Sequence, residues 1–68
     1  MDKYEFGIKS DQIKKMVMKK EYKVAAKIAD TIDWSKVKSN SMLITVADAY
    51  EADRQYEKAK NVLLEAYN

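Results

Sequence analysis

The stretch Asn40-Ser41-Met42-Leu43-Ile44-Thr45-Val46-Ala47-Asp48-Ala49-Tyr50-Glu51-Ala52, then Asp53-Arg54-Gln55, then Tyr56-Glu57-Lys58-Ala59-Lys60-Asn61-Val62-Leu63-Leu64-Glu65-Ala66-Tyr67-Asn68, decides how this chain folds. In its first part Leu43, Val46, Ala47 and Tyr50 recur three or four residues apart, which places them on one face of a helix. Tyr56, Ala59, Leu63 and Ala66 do the same in its last part. The polar break Asp53–Gln55 separates the two segments, so the stretch reads as a helical hairpin. The small residues Ala47 and Ala59 fall where two helices must approach most closely.

These residues resemble one unit of the tetratricopeptide-repeat family, whose pattern is W-x2-L-G-x2-Y followed by A-x3-F. Leu43-x2-Val46-Ala47-x2-Tyr50 and Ala59-x3-Leu63 keep the physical role of each position. Leu stands for Trp, Ala for Gly and Leu for Phe. A repeat predicts a second copy one period away. Tyr22 precedes Tyr56, and Ala25 precedes Ala59, by 34 residues, which is the period of that family. Ile28 aligns with Val62, Lys20 with Arg54, Met16 with Tyr50 and Ile8 with Met42. Residues 6–39 therefore read as a weaker copy, whose first helix carries Lys9 and Gln12 where the better copy is apolar. An end unit with a polar outer face has that character.

Working outward, residues 1–7 are expected to be a lead whose aromatics Tyr4 and Phe6 cover the first helix. Residues 8–39 form the first repeat and residues 40–68 the second. Ser10 or Asp11 can cap the first helix, whereas repeat register favours a start at Ile8. Ile13, Met16 and Val17 make its apolar stripe. Lys19-Lys20-Glu21 takes the place of the turn, although its helix propensity would permit one helix from Ile8 to Ile32. The second helix is expected over Tyr22–Asp33. Trp34 then acts as a lid on the local core. Ser39 or Asn40 caps a third helix over Ser41–Ala52, and a fourth spans Tyr56–Tyr67. Its apolar side chains cover an arc of roughly 200°, wider than a one-sided surface helix requires.

Composition narrows the chemistry. The 68 residues contain no Cys, His or Pro, and Gly7 is the sole glycine. Disulfides, thiolate or imidazole metal sites, Ser-His and Cys-His catalysis and glycine-rich phosphate loops are thereby excluded. The carboxylate pairs Asp30/Asp33 and Asp48/Glu51 are of the kind found on solvated helix faces, so no enzyme is expected and no cofactor. Residues 1–38 carry ten Lys against six acids, and residues 39–68 three bases against five acids. This polarity allows one copy to dock head to tail on another. Lys14, Lys15, Lys19, Lys20, Lys23 and Lys27 form a basic cluster. Arg54, the sole arginine, is the one guanidinium that could read base edges, so the cluster implies at most non-specific contact with a polyanion. No targeting segment or membrane span is legible, and a cytoplasmic protein is the expectation.

The reading is thus an all-α chain of two hairpins, four antiparallel helices in a short right-handed superhelical stack. The resemblance implies a protein–protein interaction scaffold that takes a peptide or partner on a concave surface. The residues it assigns there are Lys14, Val17, Met18, Ile44, Thr45, Asp48 and Glu51. The competing reading is a homo-oligomer, or a longer array, joined through helices three and four by Val62, Leu64 and Tyr67. Either way Ala59 lies in a helix contact. Replacing it with Leu is expected to overfill that contact and cost about 1–3 kcal/mol in a denaturant titration; a neutral result would put Ala59 in solvent and break the register.

Overall fold

The computed structural model describes residues 2–67. Among them lie four α-helices, α1 (Lys3–Met18), α2 (Tyr22–Ala29), α3 (Asn40–Ala52) and α4 (Tyr56–Tyr67), with a 3-10 turn at Trp34–Lys36 and no strand. The fold is all-α. Helix α1 packs on α2 and α3 on α4, while α2 lies against α3 and a smaller contact joins α1 to α3.

Both hairpins reverse in the same way. Lys20 and Arg54 each take φ of 61°, in the left-handed region. In the first turn the Lys20 amide donates to the Val17 carbonyl at 3.0 Å and the Glu21 amide to Met16 at 2.8 Å. In the second, Arg54 donates to Glu51 at 2.9 Å and Gln55 to Tyr50 at 2.8 Å. Every partner is displaced by the same 34 positions. This is the Schellman arrangement, which satisfies carbonyls orphaned at a helix end. Its left-handed position usually holds Gly, because a Cβ there is strained. Local propensity in Lys19-Lys20-Glu21 would carry the helix onward. Burial of Ala25, Ala26 and Ala29, all exposed by 1% or less, requires the chain to fold back instead.

Two boundaries differ from the sequence expectation. Residues 3–7 are not a lead but the start of α1, because Asp2 caps the helix: its Oδ1 accepts the Glu5 amide at 2.7 Å. The spacing Asp2-x-x-Glu5 is that of a capping box. Ser10 consequently sits inside the helix, buried, with a hydroxyl that has no hydrogen-bond partner. Helix α2 stops at Ala29, short of Asp33. There the Trp34 indole N–H donates to the Ala29 carbonyl at 2.9 Å, and the Asp33 carboxylate caps the 3-10 turn through the Ser35 amide and hydroxyl at 3.1 and 2.6 Å. Trp34 is buried, with the Phe6 ring edge-on at 6.3 Å, so it is the lid expected of it.

The core is centred on α3. Ser39 caps this helix by accepting the Met42 amide, and Met42, Leu43, Val46, Ala47, Ala49 and Tyr50 are all buried. Full burial of Leu43 alone contributes about 1.5–3 kcal/mol. Ala47 and Ala59 are 2% and 4% exposed, as their place in the α3–α4 contact demands. Because the turns lack glycine, Lys20→Gly and Arg54→Gly are each expected to raise stability by about 0.5–1 kcal/mol through relief of the left-handed strain. Thermal unfolding of the two variants checks this; a loss at either position would mean that its φ is negative.

Candidate interaction surface

Helices α1 and α3 run beside each other and carry the residues assigned to the concave face. Lys14, Met18, Ile44, Asp48 and Glu51 are exposed, whereas Val17 and Thr45 are half-buried. Met18 is 83% and Ile44 50% exposed, two large apolar side chains that the core does not use. Val17 packs against the core, and the Thr45 hydroxyl donates back along its own helix to the Ser41 carbonyl at 2.9 Å. Lys14 and Asp48 hold equivalent positions in the two hairpins, yet they form no ion pair with each other. The face therefore offers separate basic and acidic groups around apolar ones.

Residues at equivalent positions differ in exposure in both directions: Ile8, Met16 and Ile28 are more exposed than Met42, Tyr50 and Val62. Ser10 is buried while its counterpart Ile44 is half exposed. Ala26 is buried and Lys60 exposed; Tyr22 is half-buried and Tyr56 is 63% exposed. Helix α3 packs on both helices of the first hairpin, whereas α4 packs on α3 and the 3-10 turn.

The face assigned to self-association is corrected at one residue. Val62 is 5% exposed and lies within the fold, beside Trp34 of the 3-10 turn, which packs on α4, and Tyr50 of α3. Sequence periodicity alone did not reveal that the connection between the hairpins would pack on α4. Leu64 and Tyr67, 50% and 84% exposed, remain on the surface.

A polar tie that sequence reasoning missed joins three helices. Asp30, which ends α2, accepts the Tyr50 hydroxyl at 2.7 Å and the Lys58 ammonium at 3.1 Å, both on Oδ1. The Lys58 ammonium also stands 5.7 Å from the Tyr50 ring centroid, within cation–π range. Burial pushes the Asp30 carboxyl up, but the hydrogen bonds from Tyr50 and Lys58 and the Lys58 charge outweigh it and leave its pKa lowered. Burial, then the bond to Asp30, pushes the Tyr50 phenol well above its ordinary value. Asp33 is lowered for a separate reason, its bonds to Ser35. The two aspartates thus serve different contacts.

The six lysines of the basic cluster are all exposed. No group of three or more Asp or Glu is placed to hold a metal ion, and no helix is long and apolar enough to cross a membrane, among the described residues.

A carboxylate with a lowered folded-state pKa contributes stability above its unfolded value of 3.8, and loses it as the pH falls through the folded value. Asp30→Asn is expected to lower stability at neutral pH by about 0.5–1 kcal/mol, the small figure reflecting solvent screening of a partly exposed group. It should also flatten the acid limb of the stability profile. Parallel wild-type and variant profiles below pH 4 would contradict this role. No protein-family model, curated protein or solved structure matches the chain.

Proposed function

We propose that this chain is a protein–protein interaction module of the tetratricopeptide type, its two hairpins stacked with a right-handed superhelical twist. It takes a peptide or partner protein on the surface made by α1 and α3. The observation that carries this reading is the equivalence of the two hairpins. Their left-handed residues, Lys20 and Arg54, lie 34 positions apart, and α2 and α4 open on Tyr22 and Tyr56. Translating one hairpin onto the other sets α1 and α3 in one layer, so the outer sides of these helices form a continuous face.

On that face Met18 and Ile44 supply apolar contact, and Lys14, Asp48 and Glu51 supply charges of both signs. Val17 and Thr45 form its floor. A peptide laid across it would bury the two exposed side chains and find groups to fix its direction. The mixed charge favours specificity more than raw affinity.

A specific observation favours a second reading, self-association. Tyr56, Leu64 and Tyr67 on α4 are all at least half exposed, and two copies could cover them against each other through α3 and α4.

Selection of peptides from a random display library on the immobilised chain distinguishes the readings. Selected peptides are expected to lose about tenfold or more in affinity against Met18→Glu or Ile44→Asp, as for truncation of a central contact. They should be indifferent to Leu64→Glu and Tyr67→Glu. Failure to enrich any peptide, together with a sedimentation-detected dimer that Leu64→Glu and Tyr67→Glu dissociate, would replace the first reading with the second.

A further inference from the structure

A cleft of about 350 Å³ opens at the edge of the fold, between the first turns of α1 and the connection that leads into α3. That volume lies within the range of roughly 300–1,000 Å³ typical of ligand sites. Phe6, Ile32 and Val37 are its apolar lining, and Lys3, Lys36 and Lys38 with a single carboxylate, Asp33, its charged lining. We propose that this cleft binds an acidic peptide segment carrying one large apolar side chain, at a site separate from the α1/α3 face and independent of it.

Charge is the first ground. Helix N-termini carry a partial positive charge and favour acidic residues. Here Lys3 is the first residue of α1, and Lys38 stands immediately before Ser39, the cap of α3. Three ammonium groups therefore gather at one opening, beside the starts of α1 and α3. One carboxylate of the lining, Asp33, is attracted to Lys36 and offsets part of this charge, which leaves three Lys against one Asp. Asp33 Oδ1 accepts the Ser35 amide and hydroxyl, Asp2 Oδ1 caps α1 through the Glu5 amide, and Glu5 itself faces Lys9 at 3.5 Å. Lys3, Lys36 and Lys38 form no ion pair among the described residues.

The apolar lining is the second ground. Ile32 is buried, and Phe6 is held edge-on against the buried Trp34, so the apolar base of the cleft is formed in advance. A phosphate backbone gains nothing from such a base. A side chain the size of Leu or Phe fills it. Lys3 approaches from α1, and Lys36 and Lys38 from the connection. Carboxylates are therefore required on both sides of the apolar anchor, a spacing that a peptide supplies and a single small carboxylate does not.

The test uses a capped peptide, Asp-Glu-Phe-Glu-Asp, titrated at low ionic strength into the isotope-labelled chain and followed by amide chemical shifts. Two controls replace the central Phe with Ala, or the acids with Asn and Gln. Shifts are expected at Phe6 and across residues 32–39, with weaker binding by both controls. Lys36→Glu with Lys38→Glu should weaken binding about five- to tenfold, the expected scale for reversing exposed charges. Lys3→Glu gives an independent variant on the α1 side should the double variant unfold. Four results would overturn the proposal: no shifts at millimolar peptide, shifts centred on Met18, Ile44 and Asp48, equal binding of the Ala control (simple polyanion attraction), or binding undiminished in the lysine variants.

Discussion

The two-sided burial of α3 is the constraint on which the rest of the molecule depends. Met42, Leu43, Val46, Ala47, Ala49 and Tyr50 occupy an arc of about 160° around this helix, well beyond the ~100° stripe of a one-sided helix. A single neighbour cannot cover that arc. Helix α4 takes one flank and α2, with a part of α1, takes the other. The remaining circumference carries Ile44, Asp48 and Glu51. The same helix that closes the core therefore also presents the surface proposed to bind a partner.

Closing that core carries identifiable costs. Lys20 and Arg54 hold left-handed geometry without glycine, and the Ser10 hydroxyl is buried without a partner. Each opposes folding by about a kilocalorie or more. What offsets them is close approach at the alanines of α2 and at Ala47 and Ala59, together with the Asp30–Tyr50–Lys58 tie across three helices. In a chain of this length the hydrophobic margin is small, so these polar and small-residue contacts decide whether the two hairpins stay together. The strain also falls on corresponding places in both hairpins, at the turns, where one backbone solution was used twice.

The second hairpin was legible because its periodicity is strong and its break is polar. Leu43, Val46, Ala47 and Tyr50 are buried as their spacing demands, and α4 begins at Tyr56 as expected. The turn at Lys20 has no local signal, and only its register with Arg54 pointed to it. The misjudged features share one cause: they depend on contacts between segments distant in sequence or on competition between caps. Asp2 displaced Ser10 and Asp11 as the cap of α1. The Trp34 indole took the carbonyl at the end of α2 and shortened that helix. Val62, which an analysis of α4 alone left at the surface, lies beside Trp34 of this connection and Tyr50 of α3. The Asp30–Tyr50 bond spans 20 residues, beyond the reach of any local pattern. The cleft was invisible for the same reason, since Lys3 and Lys36 line one opening only after α1 and the connection into α3 are in place.

The surface account and the stacking account both rest on the two reversals being alike. Backbone chemical shifts and amide contacts in solution across Met18–Tyr22 and Ala52–Tyr56 test this most directly. The account predicts left-handed shifts at Lys20 and Arg54, and slowly exchanging, hydrogen-bonded amides at Glu21 and Gln55. Uninterrupted helical contacts from Met18 through Val24 would contradict it, because a single long first helix leaves no second hairpin to match.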